Sequence, residues 1–221
     1  MDPFILKGIV FAGFLYSVVL HEVAHGYLAE QLGDPTARYA GRLTLNPLPH
    51  LDPIGSFLLP LILIPTGFVF GYAKPVPYNP NRMRDRRRDP LKVMAAGPVT
   101  NILLALLLGL LVRLLVALPT IPVLMIAVLT AIVFINLLLA VFNLIPIPPF
   151  DGRFLIGLFS PVALLRAEIT IARMGGAGMF IGLLVGLFVI LPIVFPVVPV
   201  LTALLTGLTP GEVSALLGRV F

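Results

Sequence analysis

Apolar residues in this chain come in long runs, and the polar positions that divide them are gathered into a few loops. The first run, Ile9 to Leu28, is nearly all apolar and as long as a helix must be to span the hydrocarbon core of a bilayer. The second, Ile54 to Phe70, is shorter and is interrupted by Pro60, Pro65 and Gly67, which fits a re-entrant segment as well as a span. Val93 to Leu118 predicts a spanning helix that opens with Ala96-Gly97-Pro98-Val99-Thr100-Asn101. Ile121 to Ile145 predicts another, stopped by Pro146, Pro148 and Pro149. Beyond Asp151-Gly152 comes Pro161 to Arg173, a short interfacial helix with Arg166, Glu168 and Arg173 as its polar face. Gly175-Gly176-Ala177-Gly178 reads as a hinge, and a last apolar run to about Leu205 is broken by Pro192, Pro196 and Pro199. Thr209-Pro210-Gly211-Glu212 has the N-cap, first-turn proline and capping-box acid of a short closing helix. In the polar stretch after the first run, Arg38 to Leu45 predicts a short strand or hairpin.

This pattern defines an all-α polytopic membrane protein of about four to six transmembrane helices. A re-entrant or short β-hairpin region separates the first two core helices. The expectation is a single membrane-embedded domain over residues 1–221, with a core at about 9–152 and C-terminal helices at 153–221.

Composition agrees. The chain is 59% hydrophobic and 11% charged, with mean hydropathy +1.08, whereas a soluble domain carries about a quarter charged residues. Met1-Asp2-Pro3 offers neither a basic leader nor a small-residue cleavage site, so the first helix is expected to be retained. The net charge of +5 comes from loop residues, chiefly Arg82, Arg84, Arg86, Arg87, Arg88 and Lys92. The positive-inside rule puts that loop in the cytoplasm, against anionic lipid and not nucleic acid. There is no cysteine, which excludes disulfides, thiolate ligands and cysteine nucleophiles and leaves the redox compartment open.

The candidate chemistry lies inside the first run, at His21-Glu22-Val23-Ala24-His25. On a helix the two histidines share one face, one turn apart, a spacing that suits two nitrogen ligands on one Zn²⁺. Glu22 stands ready to take a proton from an attacking water. From Ile9 to Ala29 the ionisable side chains besides Tyr16 and Tyr27 are these three, and such groups are costly inside an apolar run. Counting back from Glu30 places His25 about 8 Å and His21 about 13 Å inside the boundary, submerged but within reach of water. A catalytic zinc usually has three protein ligands. With cysteine absent, the third is His50 or a carboxylate, and a histidine in a Pro-rich loop such as Asn46–Pro53 is more often fixed by backbone hydrogen bonds. The helices predicted at 93–118 and 121–145 cross the membrane twice and return Asp151 to the side where the first began. Asp151 reaches the histidines only if Ile54–Phe70 makes no net crossing.

Together these residues resemble the site-2 proteases, the zinc intramembrane metalloproteases, in the small bacterial and archaeal form without a PDZ or CBS domain. The resemblance runs from about Tyr16 to Gly152 and rests on three motifs in order: His21–His25, Ala96–Asn101, and Asn143-Leu144-Ile145-Pro146-Ile147-Pro148-Pro149-Phe150-Asp151-Gly152. It implies that His21, His25 and Asp151 ligate one Zn²⁺ per chain and that Glu22 is the catalytic base. It also implies that Asn143 holds substrate backbone or an oxyanion. The expected activity is hydrolysis of peptide bonds in or near transmembrane segments of membrane-protein substrates, with the active site towards the cytoplasm. Loop strands or the re-entrant segment would receive an extended substrate by β-addition. After Gly152 no motif matches, and Arg153 stands where many relatives have a small residue. A membrane metal-ion or proton transporter would use the same buried groups, but it gives no reason for a glutamate directly after the first histidine, and no inverted repeat is visible. A zinc-bound scaffold without activity is a third reading. Serine and aspartyl intramembrane chemistries lack their Gly-x-Ser-Gly and Gly-x-Gly-Asp segments.

Overall fold

A computed structural model describes residues 3–52, 74–118, 120–186, 188 and 191–221. The Ile54–Phe70 segment, read above as re-entrant, lies outside the described residues. The described chain is helical, with no strand among the described residues. In order it forms α1 (Pro3–Gln31), α2 (Thr36–Tyr39), α3 (Asp89–Val116), α4 (Val123–Asn143), α5 (Arg153–Phe159), α6 (Pro161–Met174), α7 (Gly176–Val185), α8 (Leu191–Thr206) and α9 (Pro210–Leu217). Among the described residues, α1, α3 and α4 are long and apolar enough to cross a membrane. A fourth span results if Pro196–Thr206 and Pro210–Leu217, bent by 104° at their break, make one broken crossing. This count of three to four is of the described residues alone and meets the expected four to six at its lower end.

The strand or hairpin expected over Arg38–Leu45 does not form. Arg38 and Tyr39 belong instead to the short helix α2, which follows an Asx turn in which the Asp34 carboxylate accepts from the Thr36 backbone N–H at 3.1 Å and from the Thr36 hydroxyl. Ala40 N–H then closes on Thr36 O at 3.0 Å, and Gly41, at φ 65°, turns the chain. The closing helix α9 forms as expected. Thr209 accepts from the Glu212 backbone while Glu212 accepts from the Thr209 backbone, and Pro210 sits in the first turn.

The described backbone divides into two compact units, and the divisions fall within α1, after Ser17, and within α3, after Gly97. The unit of Met1–Ser17 and Pro98–Phe221 is held by apolar side chains. Leu6 and Val10 of α1 pack with Ala127, Ala131 and Ile135 of α4 and with Leu216 of α9. Ala105, Val133, Leu137 and Val198 form a second cluster joining α3, α4 and α8. Outward, α3 exposes Leu103, Leu106, Leu107, Leu110 and Leu114, the surface a lipid-facing helix presents.

Inside this unit three buried polar residues join α1, α3 and α4. Asn101 Nδ2 donates to Asn136 Oδ1 at 2.9 Å, Asn136 Nδ2 donates to Ser17 Oγ at 2.9 Å, and Ser17 Oγ donates to Gly13 O at 2.8 Å. All three residues are at most 3% exposed. Each such bond contributes about 1 kcal/mol net, and leaving one partner buried without its mate costs about 1–3 kcal/mol.

The other unit, Val18–Gly97, is built on the C-terminal half of α1, after which the chain turns at Gly33 with φ 107°. Ala29, Met83 and Val93 form its apolar centre. Its two loops are bonded to each other: Arg84 N–H donates to Leu32 O at 3.0 Å, and Asn79 N–H donates to the Asp34 carboxylate.

Candidate metal centre

His21 and His25 lie on α1 one turn apart and are 5% and 7% exposed. Their rings meet edge to face, with centroids 4.8 Å apart and an interplanar angle of 82°. His25 Nδ1 lies 2.7 Å from the Val93 carbonyl. A carbonyl can only accept, so Nδ1 carries the proton and Nε2 keeps its lone pair, the tautomer that a metal-binding histidine needs. Gly97 stands opposite. A Cβ built on it would lie 2.4 Å from His21 Nε2 and 2.5 Å from His25 Nε2. Both Nε2 atoms are therefore turned to one spot, and the lack of a side chain at 97 keeps that spot open.

Asp151 occupies a tight turn at the end of α4. Gly152 N–H returns to Asn143 O, and a Cβ on Gly152 would meet Leu144 C and O at 2.2 Å. Only glycine lets the turn close against the helix end. Arg153 donates from Nη1 to the carbonyls of Pro149 (2.8 Å) and Phe150 (3.1 Å), and its Nε lies 3.4 Å from Glu168 of α6. The arginine that departs from the expected small residue thus ties down the turn that carries Asp151. The candidate ligands form a group of three, His21 and His25 in the unit of Val18–Gly97 and Asp151 in the other. Two imidazoles and a carboxylate are the donor set of a catalytic zinc site, so the residues fit this metal.

His50 is not in that group. It is fully buried, its Nε2–H donates to Thr44 O at 3.0 Å, and burial pushes its imidazole below the ordinary histidine value. This is the loop histidine fixed by backbone.

Glu22, half-buried, accepts the Val76 backbone N–H on Oε2 at 2.8 Å. Sequence reasoning missed this contact, which joins residues 54 positions apart. Its trace in the sequence is Pro75-Val76-Pro77, a stretch with one N–H to give. Arg42 carries no comparable signal in the sequence. It is 6% exposed, donates from Nη2 to Lys74 O, and has its Nε buried without a partner among the described residues. Burial pushes its guanidinium down from the usual value, and the charge of Glu22 opposes that. Asn143, at the last turn of α4, gives one amide hydrogen to Leu139 O at 3.0 Å.

Fold and site define a membrane-type helical protein with a zinc-hydrolase donor set. Over 175 residues the chain is 37% identical to a Bacillus subtilis protein, "Putative zinc metalloprotease YwhC", a match covering 76% of this chain and 75% of that one. Over 143 residues it is 36% identical to "Putative zinc metalloprotease Rip2" of Mycobacterium tuberculosis, covering 65% of this chain and 54% of Rip2. The Rip2 of Mycolicibacterium smegmatis is 37% identical over 100 residues, 45% of this chain and 38% of that protein. No family model matches the chain, and no solved structure does. The chain belongs to the zinc metalloprotease family of YwhC, and its metal is Zn²⁺.

Proposed function

We propose that the chain is an intramembrane endopeptidase of the site-2 protease type, hydrolysing peptide bonds in or near transmembrane segments of membrane proteins. The observation that carries this reading is a histidine pair on a membrane-length helix, with both Nε2 atoms turned to one open spot and a carboxylate beside the first histidine. His21, His25 and Asp151 hold the zinc, which when bound supplies Lewis acidity to the scissile carbonyl and the attacking water. Val76 N–H occupies Glu22 Oε2, so Oε1 takes the proton of the attacking water and passes it to the leaving amine. Asn143 has a second amide hydrogen to offer the substrate backbone or a developing oxyanion. The substrate segment unwinds before cleavage, because a helical peptide bond is shielded by its own hydrogen bonds. It does not add as a full β-strand along Lys74–Pro77. Lys74 N–H is bound to His50 O at 2.8 Å, Val76 N–H is bound to Glu22, and the two prolines have none.

The ligand set is tested by elemental analysis together with cleavage of a single-span membrane substrate. Asp151→Ala should lose both zinc and turnover, while His50→Ala should keep about one zinc per chain. The reverse pattern would overturn the set.

The loops around residues 34 and 84 lie on one side, the cytoplasmic one, with the active site facing it. Their mutual hydrogen bonds and the run of arginines from Arg82 to Arg88 support this. As the chain has no cysteine, Thr36→Cys and Asn81→Cys can be probed singly. A membrane-impermeant thiol reagent should label both only after permeabilisation. Labelling of either in intact cells would refute the orientation.

A further inference from the structure

Glu22 has its carboxylate held by a backbone N–H from a strap, Lys74–Pro77, that has little to fix it from within. The strap has no regular secondary structure, and Pro75 and Pro77 leave it no N–H groups beyond those of Lys74 and Val76. What fixes it is external. Lys74 N–H donates to His50 O at 2.8 Å, and Lys74 O accepts from Arg42 Nη2, so one peptide residue is gripped on both sides. Two residues further on, Val76 lies over Gly26 of α1, so closely that a Cβ on Gly26 would meet Val76 Cγ1 at 2.8 Å. The Val76 N–H then meets Glu22 Oε2. Arg42 is itself held: its N–H donates to Ala37 O at 2.9 Å, directly after the turn at Gly41.

A buried guanidinium is expensive, and one whose Nε lacks a partner is more so. A neutral residue would fill the space at lower cost, so the charge needs a reason. Its buried Nε is closed off from a substrate, which excludes direct contact through that atom. What the guanidinium does is clamp the Lys74 carbonyl next to a carboxylate of opposite charge.

We propose that Arg42 is a positioning residue for Glu22: by clamping the Lys74 carbonyl it keeps the strap in the register that aims the Val76 N–H at the Glu22 carboxylate. The inference rests on the reading of Glu22 as the proton-transfer group. With the strap in place, Oε2 is occupied and Oε1 has a fixed direction. When the strap is loose, the carboxylate turns between rotamers and proton transfer becomes less frequent, while the zinc ligands are untouched.

Amide hydrogen exchange at Val76 tests the clamp without reference to activity. It is measured on purified, zinc-loaded protein in detergent for the wild type, Arg42→Met and Arg42→Lys. Methionine keeps the apolar stem, while lysine keeps a charge and one donor. Arg42→Met should exchange Val76 about tenfold faster or more, with Arg42→Lys closer to wild type. With a fluorogenic single-span transmembrane peptide as substrate, Arg42→Met should lower kcat about 10- to 100-fold. KM and zinc content should hold, and Arg42→Lys should recover part of the loss. Unchanged exchange at Val76 in both variants would overturn the clamp, as would loss of zinc in Arg42→Lys. If the wild type exchanges as expected but cleaves nothing, the protease reading fails while the clamp stands.

Discussion

Glu22→Gln should bind about one zinc per chain and turn over a membrane substrate about 10²- to 10⁴-fold more slowly than wild type, the range a positioned general base contributes. Glutamine has the shape of glutamate, and its amide oxygen still accepts the Val76 N–H that Oε2 accepts now. The strap, the helix and the histidines are therefore left as they are, and the proton acceptor alone is removed. Elemental analysis and initial rates on the same preparation separate the two effects. A variant that holds zinc and cleaves at near the wild-type rate would show that another group moves the proton. A variant that loses zinc would show that Glu22 belongs to the ligand set.

The second large effect is expected from the smallest change, Gly97→Ala. Within a helix such a substitution ordinarily stabilises by about 0.8–1 kcal/mol. Here the added methyl would stand 2.4 Å from His21 Nε2 and 2.5 Å from His25 Nε2, where no carbon can stay. Either the rings turn away from their common spot or α3 moves back and breaks the bond from His25 Nδ1 to Val93 O at 2.7 Å. Both outcomes disrupt the pair that binds the metal, so zinc affinity should fall by about 10- to 100-fold or more, the cost of misdirecting a metal ligand. Thermal stability without metal should fall far less, since helix propensity works the other way. Competition with a chromophoric chelator, alongside melting curves with and without zinc, checks the pair of expectations. Wild-type zinc affinity in Gly97→Ala would mean that the histidines do not present Nε2 to the metal.

What the sequence made legible, and what it did not, divides by distance along the chain. The spacing of His21 and His25 is local, and a helix converts it directly into a shared face. The long apolar runs are local too, and α1, α3 and α4 appear where they were expected, with shifted ends. The first helix begins at Pro3 and reaches Gln31, because Glu30 and Gln31 are good helix formers that a hydropathy boundary discards, and the real stop is Gly33. The helix expected from Val93 starts at Asp89, whose carboxylate takes the Asp85 N–H at 2.8 Å and Lys92 Nζ at 2.7 Å. Its Pro90 belongs to the first turn, where proline is at home. The expected hairpin is absent at Arg38–Leu45 because an Asx turn at Asp34 leads into the short helix Thr36–Tyr39, which takes up Arg38 and Tyr39, and β-propensity in so short a stretch is weak against local turn bonds. In the sequence Gly97 is one residue of the motif that opens a helix, and its role opposite two imidazoles appears once α1 and α3 lie side by side in the unit of Val18–Gly97. The Val76–Glu22 and Arg42–Lys74 bonds are of the same kind, joining loops that no periodicity relates.

Ser17, Asn101 and Asn136 work like an indexing pin in a rotary joint. Two apolar helices in lipid can turn about their own axes at little cost, because any leucine surface meets its neighbour about as well as another and lipid chains are equally apolar. A hydrogen-bonded triad removes that freedom, since Ser17 reaches Asn136 from one azimuth of α1 only. The angle fixed at Ser17 is that of the N-terminal half of α1 against α3 and α4, within the unit of Met1–Ser17 and Pro98–Phe221. The leucines on the outside of α3 are thereby released from any part in alignment. That surface can drift among apolar residues, to suit bilayers of different thickness and fluidity, while the angle among these three helices stays as it is.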